Sequence, residues 1–171
     1  MPSDPASIEW RLQRLLGDPS PLRLAVAESL TGGGVAARIT RVAGSSAYLQ
    51  GGIVAYANEA KAQLLGVPAE VLRTQGAVSA ACAEAMVAGA LRAFAADVAV
   101  ATTGIAGPGG ATARKPRGLV YLAAGRAGRV RVEEHVFPGD RAAVTAAATE
   151  RALAMLFDAV EEALAGRDAG R

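Results

Sequence analysis

The chain has 171 residues, 51% of them hydrophobic but only 4% aromatic, and a formal net charge of +2. That is length enough to bury the core of one domain. It is too little charge, with no basic stripe among aromatics, to predict direct nucleic-acid binding. One cysteine, Cys82, and one histidine, His135, exclude an intrachain disulfide framework and a Cys/His zinc cluster. No Asp/Glu cluster points to a hard cation, so no metal and no cofactor is expected.

Residues 8 to 16 read as a short amphipathic helix, with Ile8, Leu12, Leu15 and Leu16 on one side and Gly17 ending it. After the turn "DPSP", residues 22 to 29 (LRLAVAES) read as a strand. It runs straight into "LTGGGVAARITRV", a helix opened by glycines. Residues 51 to 57 (GGIVAYA) form a second predicted strand. Asn58 is positioned to cap the next helix, to about Leu65. A short helix follows, with Pro68 near its start and Gly76 at its end. Ser79 can cap a long helix to about Phe94, and Cys82 within it reads as a small buried hydrophobe.

Residues 97 to 104 (DVAVATTG) are an apolar strand, followed by the long Gly/Pro loop "IAGPGGATARKPRG". "LVYLAAG" and "VRVEEHVF" read as a strand pair across "GRAG", with His135 structural rather than catalytic. Asp140 caps a last helix to about Leu164, closed by Gly166, and the terminal Gly170 and Arg171 read as frayed. The expected fold is α/β: a three-layer α/β/α domain over residues 1–171, core about 8–165, with a mixed, mostly parallel sheet of about five strands. The opening residues are too charged for a signal peptide and no apolar run is long enough to cross a membrane. A cytoplasmic protein is expected.

Sixteen of the 18 basic residues are arginine, and the two lysines are Lys61 and Lys115. Such a bias replaces exposed lysine by arginine wherever either will do. A lysine that remains is therefore informative, because only lysine can become a neutral base.

Three loops after predicted strands, where open α/β sheets bind ligands, are richer in special residues than folding requires. In "AESLTGGG", Ser29 lies at a strand-to-helix junction, where a hydroxyl can be exposed. Gly32 to Gly34 could offer helix N-terminal N–H groups to an anion or oxyanion. Alternatively Ser29 or Thr31 merely caps the helix. In "YANEAK", with Asn58 as cap, Lys61 would be the third helical residue. The positive end of the helix dipole disfavours an ammonium there, and partial desolvation would lower its pKa further. Tyr56 could face the same crevice. The third loop, "TGIAGPGGATARKPRG", offers Thr103, backbone N–H groups, Arg114, Lys115 and Arg117, a set suited to phosphate or carboxylate. A Ser–His or Cys–His nucleophile is a poor bet with one strand-borne histidine and one helix-core cysteine. Serine with lysine, with or without tyrosine, remains workable.

Taken in order, "AESLTGG", "GSSAYLQGGIVAYANEAK", "GAVS", "TGIAGPGG", "KPRGLVYLA" and "GDR" resemble the CinA C-terminal domain family, the nicotinamide-nucleotide amidohydrolases. The likeness covers roughly residues 8 to 165. It implies hydrolysis of the carboxamide of nicotinamide mononucleotide to nicotinate mononucleotide and ammonia, on a three-layer α/β/α domain usually found as a homo-oligomer. Many members carry a further N-terminal domain, and this chain resembles the stand-alone form. By motif position the implied nucleophile is Ser29, with Tyr56 and Lys61 as proton-transfer partners. The implied substrate-binding residues are Thr31, Gly32, Gly33, Thr103, Gly104, Gly107, Lys115 and Arg141. Arg117 departs from the pattern, standing where an apolar residue is usual. The expected partner is thus a small nucleotide substrate. The competing expectations are a non-catalytic nucleotide-binding module and an adaptor in competence or DNA repair.

Overall fold

The computed structural model describes residues 6–168. The frayed end expected at 170–171 lies outside them. The elements run α1 (Ile8–Leu16), β1 (Leu24–Glu28), α2 (Gly34–Thr40), a 3-10 turn at Ser45–Ala47, β2 (Leu49–Val54), α3 (Asn58–Leu65), α4 (Ala69–Thr74), α5 (Ala80–Ala93), β3 (Val98–Gly104), β4 (Leu119–Arg126), β5 (Arg129–Val136) and α6 (Arg141–Asp168). The sheet order is β2-β1-β3-β4-β5. β1 pairs parallel with β2 and β3, while β4 is antiparallel to both β3 and β5. Four of the five strands therefore point one way, and the sheet is mixed.

β1 and β3 are buried on both faces, which their near-continuous apolar sequence anticipates. Alternation divides their side chains. Leu24, Val26, Val98 and Val100 face the cluster built on α1, α2 and α6. Ala25, Ala27, Ala99 and Ala101 face the cluster of α3 and α5. Alanines on that second face leave room for close helices. A Cβ added to Gly89 of α5 would lie 2.1 Å from the Leu65 carbonyl oxygen at the end of α3.

Several boundaries differ from the sequence expectation. β2 spans Leu49–Val54, so Tyr56 lies beyond the strand rather than at its end. Asn58 is not the cap of α3. Ala57, extended at φ −84° and ψ 157°, holds that place without a side-chain bond, and Asn58 is the first helical residue. Lys61 is accordingly fourth, and its N–H closes the first turn on Ala57 O at 3.1 Å. Gly166 does not end α6, which continues to Asp168. A glycine stops a helix by turning left-handed, and Gly166 has no positive φ. Ser79 does cap α5, its Oγ accepting from Cys82 N–H, and Asp140 accepts from Ala143 N–H at the start of α6.

Candidate active site

β1 leads by its crossover to β2 on one side, while β3 lies on its other side. The carboxyl ends of β1 and β3 are thus a point where the strand order reverses, the place where open α/β sheets leave a crevice. A cleft of about 220 Å³ opens there, lined among others by Ser29, Leu30, Tyr56, Asn58, Lys61, Thr103 and Arg141, with Gly104 to Gly107 and Val78 as its wall. A somewhat larger cleft of about 280 Å³ lies between α6 and the β4–β5 end. Its charged lining is Arg126, Arg129, Arg131, Asp158 and Glu162, and no serine, cysteine or lysine lines it.

Lys61 is 2% exposed. Its Nζ lies 3.0 Å from Ser29 Oγ, 2.8 Å from Ala55 O and 3.3 Å from Tyr56 O. Among the described residues no carboxylate forms an ion pair with it. Burial pushes its pKa below the ordinary lysine value, because removing an ammonium from water favours the neutral amine. The three neighbours fit that amine. Two are carbonyls, which only accept, and they take its two N–H groups. The third is a hydroxyl, which can donate to the nitrogen lone pair. Cys82, buried beneath Lys61 in α5, has its thiol pKa pushed up by burial.

Tyr56 is 58% exposed at the rim. Its hydroxyl accepts a short hydrogen bond from Arg141, the first residue of α6. Arg141 also donates to Gly107 O at 2.8 Å, tying the Gly/Pro loop to the helix start. The Thr103 hydroxyl donates to Ala77 O at 2.7 Å and so holds the "GAVS" segment against the end of β3.

The remaining predicted residues lie outside the cleft lining. Gly32 and Gly33 have φ of +60° and +100°, a backbone turn that favours glycine. Every N–H of the glycine run is engaged: Gly32 on Ser29 O, Gly33 on Glu28 Oε2, Gly34 on Thr31 O. Neither Ser29 nor Thr31 caps α2, whose N-cap is Gly33. The carboxylate of Glu28 fills that role instead, also accepting from Val35 N–H at 3.1 Å and Ala36 N–H at 2.9 Å. The N-terminus of α2 already holds its anion, so the oxyanion site expected at Gly32 to Gly34 is taken. Lys115 does not line the cleft but bonds behind its wall. Its Nζ donates to Gln75 O at 2.6 Å and Val78 O at 2.7 Å, clamping the long loop to the α4–α5 turn. The aliphatic stem of Arg117 lies against Gly107, where an added Cβ would come within 2.4 Å of Arg117 Cδ. That stem does the covering an apolar residue would do.

Sequence reasoning missed Glu28 and Thr102. A Glu ending a buried strand is the available signal, since nothing else on that strand is charged. Thr102 has no signal of its own, because it matters only through the β1–β3 pairing that sets it beside Glu28.

Fold and site together define a three-layer α/β/α protein with a serine and a buried lysine paired at the carboxyl edge of the sheet. The family model of the CinA C-terminal domain matches residues 7–160, and the chain belongs to that family. A CinA-like protein of Mycobacterium sp. (strain JLS) is 53% identical over 140 residues, covering 81% of this chain and 33% of that protein. A CinA-like protein of Citrifermentans bemidjiense is 54% identical over 138 residues, with 81% and 33% covered. The crystal structure of the competence/damage inducible protein CihA from Agrobacterium tumefaciens aligns with a TM-score of 0.84 at 44% identity, covering 92% of this chain and 98% of that one. The chain spans about a third of the length of the curated relatives it matches. Among the described residues no helix is long and apolar enough to cross a membrane.

Proposed function

We propose that this chain hydrolyses the carboxamide of nicotinamide mononucleotide, giving nicotinate mononucleotide and ammonia, with Ser29 as nucleophile and Lys61 as base. The observation that carries the reading is the 3.0 Å contact between Lys61 Nζ and Ser29 Oγ, buried and without a carboxylate partner for the lysine. A serine is weak as a nucleophile until a neighbour takes its proton. A desolvated lysine supplies a neutral amine closer to neutral pH than a free lysine can.

Neutral Lys61 takes the Ser29 proton as Oγ attacks the carboxamide carbon. The oxyanion is held by N–H groups of Leu30 and of the 106–110 loop, since those of Gly32 to Gly34 and of Ile105 are occupied. Among the described residues the Leu30 N–H has no partner within the chain. The Lys61 ammonium then returns its proton to the leaving nitrogen, and ammonia departs from the acyl-serine ester. Water, deprotonated by Lys61, cleaves that ester and restores Ser29. Lys61 rather than Tyr56 is the base in this scheme, because the Tyr56 hydroxyl bonds to Arg141 at the rim. Tyr56 and Arg141 are assigned to the nucleotide. The exposed Arg141 guanidinium offers a fork to the 5′-phosphate, and the tyrosine ring offers a face to the pyridine.

Ammonia release from nicotinamide mononucleotide by the wild type, and none by a folded Ser29→Ala variant, is the expected result. A folded wild type that binds the nucleotide without releasing ammonia would overturn the amidase reading in favour of a binding module.

A further inference from the structure

We infer that Glu28 is a positioning residue for Ser29, acting through a directed chain of hydroxyls on Thr31 and Thr102. The inference rests on Ser29 being the nucleophile proposed above.

Glu28 is 1% exposed and among the described residues has no cationic partner. Burying a carboxylate is costly even after the surroundings relax, unless donors meet it. Gly33 is left-handed at φ +100° and brings no side chain to cap α2, so the carboxylate caps the helix; the bond from the Thr31 hydroxyl is beyond what capping needs. Glu28 shares its face of β1 with Leu24 and Val26, the face that α2 covers. Its carboxylate meets four donors: the N–H groups of Gly33, Val35 and Ala36, and the Thr31 hydroxyl at 2.6 Å.

An ionised carboxylate only accepts, so the Thr31 hydroxyl must donate to it. Thr31 Oγ1 then has only lone pairs for its other neighbour, Thr102 Oγ1 at 2.7 Å. The Thr102 hydroxyl must therefore donate to Thr31. That leaves Thr102 Oγ1 as the acceptor for the Ser29 N–H at 3.3 Å. The same N–H also donates to the Thr102 backbone oxygen at 3.0 Å. Thr102 is fully buried and Thr31 is 5% exposed, so water does not compete for these bonds. All hydrogens in the chain point toward Glu28, and its last member grips the backbone of the nucleophile. The Ser29 main chain is thus held by two acceptors from one residue of β3. That constraint aims Oγ at Lys61.

The test uses the full chain and a fluorophosphonate, which Ser29 attacks so that the Oγ–P bond forms as fluoride leaves. Mass spectrometry reads the labelled residue and the labelling rate against pH. Thr102→Val keeps the volume and the backbone acceptor but removes the hydroxyl. Its Ser29 labelling is expected to slow by about 10- to 100-fold, with its pH inflection unmoved because Lys61 is untouched. Thr102→Ser, which keeps the hydroxyl, should restore a rate near wild type. In the amidase assay Thr102→Val should lower kcat and leave KM nearly unchanged. Glu28→Gln should follow Thr102→Val if it folds, since an NH₂ replaces one acceptor opposite N–H donors.

Wild-type labelling by a folded Thr102→Val overturns the inference, and so does a shifted inflection. A wild type that labels at Ser29 yet releases no ammonia removes the amidase reading alone. In that case the slowing in Thr102→Val still supports the chain of hydroxyls. A folded wild type that does not label at Ser29 overturns both.

Discussion

Lys61 and Ser29 carry opposite demands at the residue scale. In the proposed reaction Ser29 needs a proton acceptor, and Lys61 is held where burial disfavours its own proton. Lys61→Arg should lose ammonia release while keeping a cation, because a guanidinium does not become a base at working pH. The rate on nicotinamide mononucleotide should rise with pH on the acid side with unit slope. It should level off below the ordinary lysine value of 10.5, since burial lowers this group. The same shift has a stability consequence. The folded chain holds this proton less tightly than the unfolded chain, so stability rises with pH in the window between the lowered value and 10.5. Lys61→Met should therefore be inactive yet more stable than wild type near neutral pH. Its advantage in urea midpoint should shrink toward pH 10.5. A destabilised Lys61→Met at neutral pH would mean that its bonds to Ala55 and Tyr56 outweigh its desolvation.

Elements meet closely where small residues permit it. The alanines of β1 and β3 on the α5 face, with Gly89, let α5 and the end of α3 pack together, and this sets Lys61 under the β1 edge. Gly89→Ala drives a Cβ into the Leu65 carbonyl, which is backbone and cannot rotate away. The expected cost is about 1–3 kcal/mol, a fall in Tm of roughly 2–12 °C, read by thermal unfolding. Lys115 works at the same scale, as a clamp between the long loop and the α4–α5 turn. Lys115→Met should speed amide hydrogen exchange in residues 105–118 while β3 and β4 stay protected. It should raise KM more than it lowers kcat, because the loop lines the cleft but Ser29 and Lys61 lie elsewhere. Periodicity and punctuation made most of these elements legible beforehand: α1, Ser79 capping α5, Pro68 before α4, and the β4–β5 hairpin. Asn58 and Gly166 misled because each is the residue type that ends a helix, while neither has the conformation that does so.

At the scale of the whole molecule, the two faces of the sheet are closed by different means. One face packs alanine against α5. The other is spanned by ion pairs at its margins as well as by its core: Arg38 joins Glu9 of α1 to Glu150 of α6, and Arg151 joins α6 to Glu133 of β5. Hydrogen bonds from Arg151 and His135 hold the Glu133 carboxyl down to about 2, from 4.5. A lowered carboxylate contributes stability that is complete above 4.5 and is lost as pH falls toward 2. Glu133→Gln should therefore be less stable than wild type at pH 7, with the two urea midpoints converging as pH approaches 2. Midpoints that stay apart at pH 2 would assign the difference to packing instead.

Much of this protein is determined by its sequence alone. Apolar runs, glycines and caps specify the strand and helix order, because those signals act over a few residues. The rarity of lysine marked Lys61, because arginine can replace lysine wherever only a positive charge is wanted. The serine at a strand-to-helix junction had two readings, nucleophile or cap. What only the tertiary structure decided is which groups are already spent. Glu28 consumes the N-terminus of α2, Lys115 is drawn to backbone carbonyls, and Thr102 meets Thr31 from a strand 71 positions away. A hydrogen bond between distant strands depends on register and burial. Neither can be read from local sequence, since the same residues with solvent beside them would have water as a partner.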